Sequence, residues 1–244
     1  MTSVCMATYN GVRFIREQID SILPQLDAED ELIISDDGST DGTLGILAEY
    51  DAADVRVKVL HHEKNPDYAK IRHSRNFYYA TDNFENALRH AKGDYIFLAD
   101  QDDVWAKDKI SVMRNALDDF DYVLCNFKNI DEEGNVTKQI HFPKNPIKKS
   151  LLKNLLVPCF FGCYSAFSRK VLDTALPFPR CPCHDTWIGL VAVKHYRVKF
   201  LSSFYGGGHR YHDNQTTNSH SRSKVFALIY RLSLLIALLR RKRK

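Results

Sequence analysis

Short apolar runs alternate with helical stripes along the first half of the chain, and polar loops follow the runs. Ser3 to Ala7 reads as a strand, as do Glu31 to Ser35, Val55 to Leu60, Tyr95 to Ala99 and Tyr122 to Asn126. Between them Arg13 to Leu23 carries Phe14, Ile15, Ile19, Ile22 and Leu23 on one helical face. Thr43 to Tyr50, with Thr40 or Asp41 as cap, Asn76 to Ala91, and Lys107 to Leu117 also read as helices. This alternation predicts an α/β fold with a Rossmann-like, mostly parallel central sheet and helices on both faces. The second half is less regular. Lys138 to Lys149 and Phe204 to Asn218 read as loops, Thr186 to Lys194 as a helix, and Leu151 to Phe167 is apolar and rich in aromatics.

In such a sheet, ligands bind beyond the carboxyl ends of the strands. Thr8-Tyr9-Asn10, Asp36-Asp37-Gly38-Ser39 and Asp100-Gln101-Asp102-Asp103 each follow a predicted strand, so they should converge on one crevice. The last of them places three carboxylates where an apolar strand leaves the core. Like charges at this spacing repel unless a cation lies among them, and carboxylate oxygens suit a hard divalent metal.

Composition limits the alternatives. The 244 residues are 44% hydrophobic and 26% charged, a globular balance. The net charge of +4 owes much to the closing Arg240-Arg241-Lys242-Arg243-Lys244, so the body carries no nucleic-acid footprint. No basic-then-apolar leader is visible, which predicts free thiols in a reducing compartment. Cys159, Cys163, Cys181 and Cys183 depart from the usual zinc-ribbon spacing, and packing cysteines are the better reading. The stretch Val225 to Leu239 is apolar except for Arg231 and Ser233. As a helix it would measure about 22 Å, too short to cross a bilayer of roughly 30 Å. An amphipathic helix lying on a membrane surface, with the basic cluster on anionic headgroups, fits it; packing on the domain or on a partner chain is the alternative. The expected organisation is one domain over residues 1–218, in two halves (1–126 and 127–218), followed by a basic tail over 219–244.

At this level of detail the sequence resembles the family 2 glycosyltransferases, which have the GT-A fold. Met6-Ala7-Thr8-Tyr9-Asn10-Gly11 looks like the opening motif, Ile34 to Asp41 like the second, and Ala99-Asp100-Gln101-Asp102-Asp103-Val104-Trp105 like the metal-binding motif. Gly162 to Phe167, Leu176 to Pro179, His184 to Ile188 and Arg210 to Asn214 look like the rhamnosyltransferase-type branch. The resemblance implies an inverting transferase that uses Mn²⁺ or Mg²⁺. Its donor would be a nucleoside-diphosphate sugar, with dTDP-rhamnose or a UDP-sugar leading. Its acceptor would be a cell-surface glycan or a lipid-linked glycan at the cytoplasmic face of a membrane. Residue by residue, it implies Asp102 as metal ligand, with His212 (or the neighbouring His209) completing the metal or diphosphate site. Ala7, Thr8, Tyr9, Asn10, Asp36 and Asp37 would frame the base and ribose, with Arg75 and Asp100 nearby. Asp185 would be the general base, and His184 and Trp187 would meet the acceptor. Trp105 offers a second stacking face. Two rivals share the plan: a non-catalytic nucleotide-sugar-binding module, and a nucleotidyltransferase, which would usually show a Gly- and basic-rich phosphate loop in place of Thr8 to Gly11.

Overall fold

A computed structural model describes residues 1–71, 75–180, 182–212 and 224–244. Among these, nine strands form one sheet in the order β3-β2-β1-β4-β8-β6-β9-β5, with β7 paired to β6. The strands are β1 (Thr2–Thr8), β2 (Glu31–Asp36), β3 (Val57–His61), β4 (Tyr95–Asp100), β5 (Val104–Trp105), β6 (Tyr122–Ile130), β7 (Val136–Lys138), β8 (Ser165–Ser168) and β9 (Val198–Arg210). The helices are α1 (Ile15–Ile22), α2 (Thr43–Ala53), α3 (Arg75–His90), α4 (Lys109–Leu117), α5 (Leu151–Leu156), α6 (Arg169–Ala175), α7 (His184–His195) and α8 (Lys224–Arg240).

The block β3-β2-β1-β4 is parallel throughout. Its strands are apolar without alternation: Val4, Cys5 and Met6, then Leu32, Ile33 and Ile34, then Ile96 and Phe97 are fully buried. Successive side chains point to opposite faces, so burial of both parities requires cover on both sides of the sheet. Antiparallel β8 then joins β4 to β6, and β9 runs parallel to β6. The sheet is therefore mixed beyond β4, a departure from the simple alternation read in the first half. The boundary expected between residues 126 and 127 falls inside β6, so the sheet runs through it without a break.

The largest difference from expectation lies at Phe204 to Arg210, which is the end of β9 and not a loop. Three consecutive glycines look like loop chemistry. Here they let β9 pass between its neighbours. A Cβ on Gly206 would lie 2.4 Å from Cys125 Sγ, and one on Gly207 would lie 2.2 Å from the Val104 carbonyl oxygen. Gly207 also has φ +146°, a backbone state that side chains disfavour. Residues 213–218 of the expected loop lie outside the described residues.

The C-terminal helix α8 packs on the domain. Leu234 and Leu238 are buried, and Lys194 Nζ donates to the carbonyls of Leu238 and Arg241. No helix among the described residues is long and apolar enough to cross a membrane.

Candidate active site

Strand register brings the three polar loops together. Thr8 of β1 lies beside Asp36 of β2, and Ala7 lies beside Asp100 of β4. Gln101 fastens the first loop to the third: its Oε1 accepts from Thr8 Oγ1 (2.6 Å) and from the Tyr9 amide (2.9 Å), and its Nε2 donates to the Tyr9 carbonyl (3.1 Å). A Cβ on Gly11 would lie 2.4 Å from that same Oε1, which accounts for a glycine there. Asn10, at φ +50°, joins the first loop to the second by accepting from the Thr40 amide at 2.8 Å.

Two residues expected to read the nucleotide have other employment. Asp36 is fully buried, and its carboxylate accepts from the Gly38 and Ser39 amides (3.0 and 2.8 Å) and from Ser39 Oγ. It closes the turn after β2 and cannot touch a ligand. Thr8 is buried with its hydroxyl engaged by Gln101, so its contribution is positional. Ala7 is partly exposed, and Tyr9 and Asn10 are exposed at the rim.

Asp37 is 4% exposed and has two partners that sequence reading missed. His62 Nδ1 is 2.8 Å from Asp37 Oδ1, and Lys64 Nζ is 3.6 Å from Oδ2. The same ammonium sits 3.0 Å from the centroid of the Tyr9 ring, so Lys64 bridges the two loops across the slot. Both residues follow β3, and the strand-end rule applied to that strand would have found them. Arg75 opens α3 with an exposed side chain.

The third loop holds the carboxylates. Asp102 Oδ2 meets His212 Nε2 at 2.9 Å, and both side chains keep some exposure (16% and 9%). Asp103 turns inward: its Oδ1 accepts from His209 Nδ1 (2.9 Å) and from the Arg210 amide (3.1 Å). The two histidines thus take separate partners. Burial alone would lower His209, but the Asp103 carboxylate, with Asp100 and Asp102 behind it, raises it to about 9. Asp100 is pushed up to about 7, first by burial and then by repulsion from Asp103 and Asp102. Arg210, fully buried, ties the loop to its surroundings. Its guanidinium donates to the carbonyls of Asp102 (2.9 Å) and Glu132 (2.8 Å) and pairs with Glu17 (2.6 Å).

A divalent cation fits the Asp102–His212 donor set. A carboxylate oxygen and an imidazole nitrogen lie 2.9 Å apart at the mouth of the crevice, beside the carboxylates of Asp100 and Asp103. A second group, Asp103, Cys163 and His209, also has its donor atoms within 4.8 Å of one another. It fits a hard cation poorly: burial pushes the Cys163 thiol up, and the raised His209 donates its proton to Asp103. The Cys159 to Cys183 set has Cys159 and Cys163 buried as free thiols, while Cys181 lies outside the described residues.

Asp185 is the second residue of α7, half-buried, with Oδ1 accepting from the Thr186 amide at 2.6 Å. Its placement near the strand ends comes through Gly162. A Cβ there would meet Leu98 of β4 at 3.2 Å, His184 Nε2 at 3.2 Å and Asp185 Cβ at 3.3 Å. His184 stacks on Phe84 with ring centroids 4.0 Å apart, and burial pulls its pKa down to about 3. It is a neutral packed ring, not a group reaching toward an acceptor.

Trp187 corrects the sequence reading outright. It is fully buried, its indole N–H donates to the Ala175 carbonyl at 2.9 Å, and Arg241 covers the ring at 5.2 Å. An apolar residue three places after a helix start is as readily core as platform, and here it faces α6. Trp105 is buried as well, with Lys109 Nζ 3.8 Å from its ring. Trp187→Ala should therefore lower the unfolding free energy by about 3–5 kcal/mol. Urea unfolding measures this, and a wild-type midpoint together with weakened acceptor binding would restore the platform reading.

Comparison with known proteins identifies the family and the fold. The family model "Glycosyl transferase family 2" matches residues 3–176. A Bacillus subtilis protein named for teichuronic acid biosynthesis, TuaG, is 30% identical over 162 residues, 65% of this chain and 60% of its own length. The Escherichia coli WfgD, named a UDP-Glc:α-D-GlcNAc-diphosphoundecaprenol β-1,3-glucosyltransferase, is 26% identical over 204 residues (83% and 73%). The Shigella flexneri dTDP-rhamnosyl transferase RfbG is 40% identical over 117 residues (46% and 36%). The chain thus spans between about a third and three quarters of these relatives. Among solved structures, Staphylococcus aureus TarS with UDP-GlcNAc superposes with a TM-score of 0.74 at 22% identity, covering 100% of this chain and 68% of that one. The α/β architecture is that of the GT-A glycosyltransferases.

Proposed function

The chain belongs to glycosyl transferase family 2, and from that premise we propose that it moves a hexose from a nucleoside-diphosphate sugar to a hydroxyl of a lipid-linked or cell-surface glycan, with inversion at the anomeric carbon. The observation that carries the reading is that strand register brings the loops after β1, β2 and β4 together, with the Asp102–His212 pair at the third of them.

In this reading Asp37, held by His62 and Lys64, accepts the imide N–H of a uracil or thymine base. Tyr9 and the Ala7 backbone frame the ring, and Asp100 stands at the ribose. Asp102 and His212 would hold Mn²⁺ or Mg²⁺, which when bound supplies positive charge to the departing diphosphate. The acceptor oxygen forms its bond to the anomeric carbon as the bond to the diphosphate oxygen breaks. The hydroxyl proton passes to Asp185, and the diphosphate leaves with the bonding electron pair. Donors named for the relatives support UDP-glucose and dTDP-rhamnose as the first candidates, and the WfgD acceptor supports a polyprenyl diphosphate carrier. A lipid-linked acceptor places the enzyme at the cytoplasmic face of a membrane, in contact through α8.

The test is incubation with a panel of UDP- and dTDP-sugars, Mn²⁺ or Mg²⁺, and polyprenyl-diphosphate glycans. Nucleoside diphosphate should appear in step with glycosylated product. Tight donor binding with no release under any acceptor would make the chain a binding module, and release of inorganic pyrophosphate would make it a nucleotidyltransferase.

A further inference from the structure

Helix α8 is apolar on two opposite sides. Leu234 and Leu238 form the buried stripe. Leu228, Leu232, Ile236 and Leu239, spaced by four, four and three residues, form a second stripe that is 44–70% exposed. A solvated surface helix would carry polar residues on that side. The short helix α5 touches α8 and repeats the arrangement. Asn154 and Leu155 are buried, while Leu152, Leu156 and the following Val157 are 57–67% exposed.

The two segments that carry these stripes are themselves free of acidic residues. No Asp or Glu occurs from residue 134 to 172, nor from 214 to 244. The first stretch exposes Lys144, Lys148, Lys149 and Lys153 around α5, and none of the four pairs with a carboxylate among the described residues. The second ends in the basic cluster after α8. We propose that α5 and α8 together form one docking face for an anionic lipid surface, with the α5 lysines and leucines as a second contact beside the tail. The choice of a membrane as partner rests on the function proposed above. A second copy of the chain is disfavoured because a two-fold interface would set cations against cations. Apolar side chains entering the headgroup layer, with lysines beside them, match an interfacial helix pair, and α8 at 17 residues lies along the surface without spanning.

Co-sedimentation of the full chain with phosphatidylcholine vesicles, with and without phosphatidylglycerol, tests the face. Binding should require phosphatidylglycerol. Each cation removed should weaken it roughly fivefold, so Lys148→Gln with Lys149→Gln should cost at least about tenfold. Leu152→Ser with Leu156→Ser should also cost at least about tenfold in vesicle affinity. All four side chains are exposed, and UDP binding, read in the same samples, should not change. Vesicle affinity equal to wild type in both double variants would overturn the α5 contact. A stable dimer by light scattering that Leu152→Ser and Leu156→Ser dissociate would assign the face to a second copy instead. Because no donor or acceptor is needed, loss of this proposal leaves the transferase reading standing, and the converse holds too.

Discussion

Asp102→Asn is expected to fold as wild type and to lose the dependence of donor binding on divalent metal. The main chain at this position is secured independently of the carboxylate, since Arg210 Nε donates to the Asp102 carbonyl. Among the described residues the side chain itself reaches His212, at the crevice mouth. An amide has nearly the same shape, keeps one acceptor oxygen and carries no charge, so the substitution removes the charge that would hold a cation and little else. A metal on a transferring diphosphate contributes several kcal/mol of charge stabilisation, so kcat/KM at saturating metal should fall by on the order of 10²–10³. Titration of UDP and dTDP with and without Mn²⁺ separates binding from chemistry. If the mutant shows the same metal enhancement as wild type, Asp102 is no ligand. Asp103→Asn makes the contrast: its carboxylate is turned to His209 and Arg210, and its loss should act first on stability.

The parts of this site that were legible in the sequence share one property: their role follows from position on a regular element. β1, β2 and β4 are fully covered strands, so apolar runs such as Leu32 to Ile34 mark them, and parallel register then forces the loops that follow to meet. Residues that failed the reading did so because their chemistry has two uses that only packing distinguishes. Asp36 and Asp37 are adjacent and identical. One faces the turn that it closes, the other faces His62 and Lys64. Trp187 sits at a helix start beside the candidate base, yet the rotation of α7 turns it onto Ala175. The Gly206-Gly207-Gly208 run is loop-like locally and strand in context, because close approach of Val104 and Cys125 selects against side chains. The tail was legible as a helix with an apolar surface too broad for solution. Its division into a docked stripe and an outward stripe depended on the position of α7.

Asp185→Asn is expected to remove turnover while leaving the donor site as it was. The carboxylate stands in the first turn of α7, where its Oδ1 accepts from the Thr186 amide. The carbonyl oxygen of Asn can accept the same bond, so the helix start and the Gly162 contact beneath it should persist. What the amide cannot do is take a proton. Loss of a general base typically costs about 10²–10⁴ in rate, and the proton moves only in the transition state, so the loss should fall on kcat with donor affinity nearly unchanged. His184, the adjacent titratable group, is a poor substitute: packed on Phe84 with its pKa pulled down to about 3, it binds a proton too weakly to drive the transfer. One base and one displacement leave no second nucleophile to restore configuration, so the wild-type product should carry the anomeric configuration opposite to that of the donor. NMR of the product decides that point, and steady-state kinetics decide the first. Near-normal turnover in Asp185→Asn would move the base to another residue. A product that keeps the donor's configuration would require either a covalent intermediate on a protein nucleophile or front-face attack by the acceptor.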